Sequence, residues 1–225
     1  MKQIDRLAGE SGKDYALRAI RENIISLDLE PGSHISANDL TEELGLSRGP
    51  IREALSELSK TGIVEVFPQS GCKISLINEE MINEARFMRK SLECSVVREA
   101  AMRVSDKELV EIEENMALQD FYLEKHMSDK LLDSDNWFHK KLFAITNMQN
   151  VYDLMKNFVI HLDRLRSLTL ITIKDIRVVE DHREILQAIK DKDPDLAGDL
   201  MLKHLSRDTT DIRDIKLAHP EYFEK

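Results

Sequence analysis

Apolar positions set the frame of this chain. Ala16, Ile20, Ile24 and Leu27 recur at helical spacing and predict a helix over about 13–27 with one face inward. Pro31-Gly32 breaks that pattern. A short helix is predicted over 37–44, where Leu40 and Leu44 sit four apart, and a third over 47–61 with Ile51, Leu55 and Leu58 inward. Gly45 lies between them, and a glycine there can take the left-handed conformation that ends one helix and turns the chain into the next. Ser47 is a favoured residue type for the next N-cap, and Gly62 stops the helix. The period then changes. Residues 63–67 and 72–76 read as two strands around the turn Pro68-Gln69-Ser70-Gly71. Two helices joined through glycine and followed by a β-hairpin predict a winged helix-turn-helix.

After a short link, helical spacing returns and persists to the end. Helices are predicted over 79–103, 106–127, 129–145, 151–171, 175–190 and 194–218. Ser105 with Glu108 fits a capping box, while Asn147 and Asp193-Pro194 mark breaks. The fold class is therefore mainly α. It comprises a winged helix-turn-helix over 1–76, a linker at 77–80 and an all-helical bundle over 81–225.

Composition narrows the classes. Hydrophobic residues make up 42% and charged residues 33% of 225, as in a water-soluble globular chain of one or two domains. No run approaches the roughly 18 apolar residues of a membrane span. The opening Met1-Lys2-Gln3-Ile4-Asp5-Arg6 is too polar for a secretory signal, so the cytoplasm is expected. Cys72 and Cys94 are too few for a disulfide framework and read as reduced structural thiols. The net charge of −10 argues against a nucleic-acid binder held by bulk charge. Residues 1–77 alone hold nine Lys and Arg against twelve Asp and Glu, an excess of three acids. Phosphate contacts respond to charge within a Debye length, about 8 Å at physiological salt, so any DNA contact must depend on where the basic residues point.

They point from one place. Arg48 and Arg52, four apart near the start of the third helix, share the face opposite its apolar stripe. The N-terminal end of such a helix meets base edges in the major groove, where an arginine fork matches guanine O6 and N7. Ser47 can bond a phosphate at the positive helix end. The hairpin tip Gln69-Ser70-Gly71, with Lys73 behind it, can reach the minor groove or backbone, and Asn38 and Thr41 of the preceding helix can touch phosphate. The same residues also fit a winged domain used for protein contacts, with Arg52 paired to Glu53 or Glu57.

Leu44-Gly45-Leu46-Ser47-Arg48-Gly49-Pro50-Ile51-Arg52-Glu53-Ala54-Leu55, with Leu58 and Thr61-Gly62-Ile63-Val64, resembles the signature of the GntR family of bacterial regulators. Leu29-Glu30-Pro31-Gly32 and Pro68-Gln69-Ser70-Gly71 extend the likeness to about residues 13–76. Gly49 departs from it, standing where related proteins usually carry a threonine or glutamine that touches DNA. Ala37-Asn38 departs too, where Glu and Arg are frequent. The resemblance implies a double-stranded DNA operator as partner.

The helical part carries its own constellation. Asp135 and His139 lie at i and i+4 on one helix face, His182 lies on a later helix beside Ile185 and Ile189, and His204 lies on the last near Met201 and Leu205. Bundles build metal sites from ligands converging on facing helices. Three imidazoles and a carboxylate suit zinc, nickel or manganese with positions left open. An Asp–His pair at this spacing is also what a surface ion pair looks like, and a lone histidine beside apolar residues is also what a core histidine looks like. His34, His126, His161 and His219 have no comparable context.

Residues 79–218 resemble the all-helical FCD effector domain of the FadR subfamily of GntR regulators. Asp135, His139, His182 and His204 match its Asp-x-x-x-His and two later histidines, with Phe138 and Asn147 in the surrounding pattern. An arginine followed four residues on by a glutamate also belongs to it, matched by Arg89 and Glu93. That resemblance implies a small organic acid as effector, with Arg89 pairing its carboxylate above the metal, unless Arg89 simply pairs with Glu93. A homodimer is expected, because a two-fold protein reads a palindromic operator. Two alternatives stand beside this. The metal alone is the signal, or the bundle is a metal-dependent enzyme with Asp181 or Glu184 near the ligands as candidate bases.

Overall fold

The structure is a computed structural model that describes residues 1–67, 71–172, 177–207 and 211–224. The chain divides into two compact units, one of residues 1–79 with 216–225 and one of residues 80–215.

In the first unit, α1 (Gly12–Ile25) starts at Ser11, whose hydroxyl accepts from the Asp14 N–H, and buries Ala16, Ala19, Ile20 and Ile24. After β1 (His34–Ile35), Ser36 caps α2 (Ala37–Leu44) in the same way through the Asp39 N–H. Gly45 then sits at φ 64° and returns its N–H to the Thr41 carbonyl, the left-handed turn that its position predicts. α3 (Arg48–Lys60) buries Ile51, Ala54, Leu55 and Leu58 and packs along α1. β2 (Val64–Phe67) and β3 (Gly71–Ile74) pair antiparallel, with Val64 opposite Ile74 and Phe67 opposite Gly71. β1, too short to be seen from periodicity, pairs on the other side of β3, giving the sheet order β1-β3-β2. The winged helix-turn-helix is thus present.

The second unit contains α4 (Glu79–Arg103), α5 (Asp106–Glu124), α6 (Ser128–Ile145), α7 (Gln149–Phe158), α8 (Ile160–Thr172), α9 (Arg177–Lys190) and α10 (Pro194–Ser206), and the division between the units falls within α11 (Asp211–Ala218), after Ile215. Ser105 and Glu108 form the predicted capping box, with Ser105 N–H donating to Glu108 Oε2 at 3.0 Å. Asp193 caps α10 through the Leu196 N–H, and Asn147 takes φ 59° past the end of α6. Two predicted helices are divided. The one over 151–171 breaks at Val159, where no proline or glycine marks a stop. The one over 194–218 is α10 as far as Ser206 and α11 from Asp211, with 208–210 outside the described residues. α6 packs on α5 and α8, α9 on α5, and α10 on α9.

The chain end differs from a bundle running to residue 225. Residues 216–225 group with the first unit. The physical reason is a parallel bridge between Ile77 and Phe223, in which the Ile77 N–H donates to the Tyr222 carbonyl (2.7 Å) and the Glu224 N–H to the Ile77 carbonyl (3.1 Å). Ile77 and Phe223 are both buried, so docking satisfies backbone groups and removes a large ring from water together. Phe223→Ala is expected to cost about 3 kcal/mol locally and to raise the exchange rate of the Ile77 amide about 100-fold. Hydrogen exchange followed residue by residue checks this, and unchanged protection at Ile77 counts against tail docking.

Candidate DNA-reading face and metal centre

Because Ile51, Ala54, Leu55 and Leu58 take the inner face of α3, the outer face carries Ser47, Arg48, Gly49 and Arg52 into solvent. Ser47 has the backbone of an N-cap, but its hydroxyl makes no capping bond, so the side chain is left for another acceptor or donor. Glu57, a candidate partner for Arg52, pairs with Lys60 at 2.8 Å instead. Among the described residues no carboxylate pairs with Arg48 or Arg52. Other cations of this unit are committed, Arg18 to Glu10 and Lys60 to Glu57. Asn38 is exposed, and the Thr41 hydroxyl donates to the Asn38 carbonyl at 2.6 Å. Lys73 is half-buried and stands opposite Glu65 across β2 and β3. Gly71 has a reason of its own. It sits at φ 90°, and a Cβ there would lie 3.1 Å from the Ile35 carbonyl oxygen, so the fold requires glycine whatever the wing touches. Gln69 lies outside the described residues. A Cβ on Gly49 would meet open space.

In the second unit the structure brings all four predicted ligands together. One donor atom from each of Asp135, His139, His182 and His204 lies within 4.8 Å of the others. His204 Nε2 is 3.3 Å from both His182 Nε2 and His139 Nε2. Asp135 Oδ1 is 3.6 Å from His182 Nε2, and its Oδ2 is 3.8 Å from His139 Nε2. All four are buried or nearly so. The surface-ion-pair alternative for Asp135 and His139 therefore does not describe them.

Behind each ligand stands a second group. The Glu93 carboxylate lies against His139 Nδ1, and its other oxygen accepts from Arg89 Nε at 2.5 Å. A carboxylate carries no proton here, so Nδ1 of His139 is the donor and its Nε2 lone pair faces inward. Gln119 Oε1 is 2.8 Å from His182 Nδ1. Asp181 Oδ2 is 3.5 Å from His204 Nδ1, and Asp181 Oδ1 is 2.7 Å from Arg207. Arg166 rests on Asp135 Oδ2 and also reaches Asn136 and Asp163. Of these, sequence reasoning singled out Glu93 and weighed Asp181 only as a candidate base. Gln119 and Arg166 went unseen, although Asn115 and Gln119 do form a polar i,i+4 pair on the otherwise apolar face of α5.

The charges settle accordingly. Burial pushes Asp135 up, but Arg166 and then the histidines outweigh it and hold the carboxyl well below the usual range. Burial likewise raises Glu93, and Arg89 with His139 more than reverses it. Burial drives His139 down, opposed by Glu93, and drives His182 far down, aided by His204. These imidazoles are neutral near pH 7, the form that offers a lone pair to a metal. His161, outside the cluster, is lowered to about 3 by burial and then by Arg164, whose Nη2 donates to His161 Nδ1 at 2.6 Å.

Comparison with known proteins places both sites inside described domains. The profile of the bacterial regulatory proteins of the gntR family matches residues 14–74, and that of the FCD domain matches residues 84–207. This chain belongs to the GntR family of bacterial regulators, in the group that carries an FCD domain. An HTH-type transcriptional regulator in an unstable DNA locus of Streptomyces ambofaciens is 31% identical over 208 residues, 91% of this chain and 86% of that one. The HTH-type transcriptional repressor RspR of Escherichia coli K12 is 25% identical over 209 residues, 92% of both chains. Among solved structures, E. coli McbR/YncC has the same fold, with a TM-score of 0.81 over 93% of this chain and 99% of that one at 18% identity. As a GntR-family member the protein is a DNA-binding transcription regulator and not an enzyme, which removes the catalytic alternative for Asp181 and Glu184. The exposed face of α3 lies in the GntR match, and the histidine cluster lies in the FCD match. Among the described residues no helix is long and apolar enough to cross a membrane.

Proposed function

We propose that a divalent metal held by Asp135, His139, His182 and His204, together with a small organic acid bound beside it, sets how tightly a homodimer of this regulator holds a palindromic operator. The observation that carries this is the convergence of three buried imidazoles and one ionised carboxylate within 4.8 Å. His204 Nε2 is 3.3 Å from both His182 Nε2 and His139 Nε2, and one proton there can bond only one of the two while a cation can accept all three lone pairs, so the donor set suits a metal. Three histidines and a carboxylate suit zinc first, and nickel or manganese by the same donors. When bound, the ion supplies positive charge and coordination positions open to a carboxylate. Arg89 is the candidate second anchor for that acid. Its buried pair with Glu93, which continues to His139, favours a second reading in which the metal alone is the signal and Arg89 serves the ligand shell. Reading of the operator falls to Ser47, Arg48 and Arg52, with support from Asn38, Thr41, Gln69 and Lys73. Pairing two such narrow faces doubles the contacts of an acidic domain.

Operator binding followed by fluorescence anisotropy separates these. Chelated protein is expected to ignore a panel of small carboxylates. Zinc-loaded protein is expected to shift affinity 5- to 150-fold with the matching acid, the usual range of a coupling. A shift of that size from zinc alone supports the second reading. No response to either metal or acid overturns both.

A further inference from the structure

Gln119 is fully buried in the second unit, on a helix that contributes no ligand to the histidine cluster. A buried amide has four hydrogen-bonding positions to satisfy, and its partners fix which end is which. Gln119 Nε2 is 2.7 Å from Asn115 Oδ1 and 3.5 Å from the Ser134 carbonyl oxygen. The Ser134 carbonyl can only accept. Turning the amide over would set two oxygens against each other there, so the nitrogen belongs on that side. Oε1 therefore faces His182 Nδ1 at 2.8 Å, and because Oε1 can only accept, Nδ1 must carry the proton. Nε2 of His182 is left with its lone pair, directed at His204 Nε2 and Asp135 Oδ1. The ring plane is held as well, because Phe138 stacks on His182 with centroids 4.2 Å apart and planes 19° apart.

We propose that Gln119 is a positioning residue for the metal centre, selecting the Nδ1–H form of His182 and fixing the ring so that Nε2 is presented to the ion. The assignment rests on the metal reading above but on different atoms. It explains why α5 spends two polar residues, Asn115 and Gln119, on a face whose other buried members are Ile112 and Met116. Asn115 orients the amide, the amide orients His182, and the Ser134 carbonyl of α6 decides the direction of both. An outer partner that fixes the tautomer of a ligating histidine typically changes metal affinity 10- to 100-fold when removed.

The full chain is tested in three forms, wild type, Gln119→Leu and Gln119→Glu. Two measurements are made, the tautomer of His182 in metal-free protein by nitrogen-15 NMR of labelled histidines, and zinc affinity by competition with a chelating dye. The wild type is expected to show protonated Nδ1 at His182. Gln119→Leu is expected to move His182 toward the Nε2–H form and to weaken zinc 10- to 100-fold with helical content unchanged. Gln119→Glu keeps an acceptor toward His182 Nδ1 but loses the donor toward Asn115 Oδ1 and the Ser134 carbonyl, so it is expected to retain the wild-type tautomer and to bind zinc more weakly than wild type but more tightly than Gln119→Leu. Zinc binding in Gln119→Leu equal to wild type overturns this proposal and leaves the metal reading standing. A folded wild type that takes no zinc overturns the metal reading, and the positioning role with it. Loss of affinity in Gln119→Leu without any change in the His182 tautomer also overturns the role.

Discussion

Arg48→Ala with Arg52→Ala is expected to lower affinity for the selected operator by at least about 30-fold, while Lys60→Ala leaves it unchanged. Each arginine on a base edge or phosphate contributes about 1–3 kcal/mol, and contacts that do not share partners add. The effect is large here because little else in the first unit can replace them. The unit carries more acids than bases, and Arg18 and Lys60 are tied to Glu10 and Glu57. Arg48 and Arg52 are exposed on one face of α3 without a carboxylate partner among the described residues. Anisotropy with a DNA fragment enriched by the protein itself measures this, at several salt concentrations. Each lost phosphate contact should reduce the salt slope by about one, whereas a lost base contact should relax sequence preference at one position. Unchanged affinity in the double variant removes α3 as the reading helix.

Zinc at about a thousandfold excess over its Kd is expected to stabilise the second unit by about 4 kcal/mol, a rise in melting temperature on the order of 10 °C. His182→Ala and His204→Ala should each remove most of that rise. His126→Asn should keep it, because His126 is exposed, lies outside the cluster and sits at φ 54°, a conformation asparagine tolerates. The gain arises because the ligands converge only in the folded state, so the ion binds the native chain and not the unfolded one. Thermal melts with chelator, zinc, nickel and manganese compare the ions directly. A melting temperature unmoved by all three ions counts against the cluster as a metal site. Equal rises in wild type and His182→Ala would place the ion elsewhere.

Local signals account for much of what is seen. Gly45, Gly62 and the alternation on either side of Pro68 specify helix ends and hairpin over a few residues, so the winged unit is legible from its own sequence. Arg48 and Arg52 could be placed on the outer face because Ile51, Leu55 and Leu58 had to take the inner one. The i,i+4 spacing of Asp135 and His139 likewise guaranteed a shared helix face. Spacing within a helix says nothing about the partner helix. Whether His182 and His204 would meet that pair, His204 at 3.3 Å from His139 through Nε2, was decided by how α10 packs on α9, α9 on α5 and α5 on α6. The choice of Glu93, Gln119, Asp181 and Arg166 as outer partners depended on the same packing, because residues 23 to 63 positions apart, such as Asp181 with His204 and His182 with Gln119, can be matched only in three dimensions. The break at Val159 and the docking of Phe223 beside Ile77 belong with them. Periodicity records which face of an element avoids water, and it carries no information on which other face, of which other element, arrives to cover it.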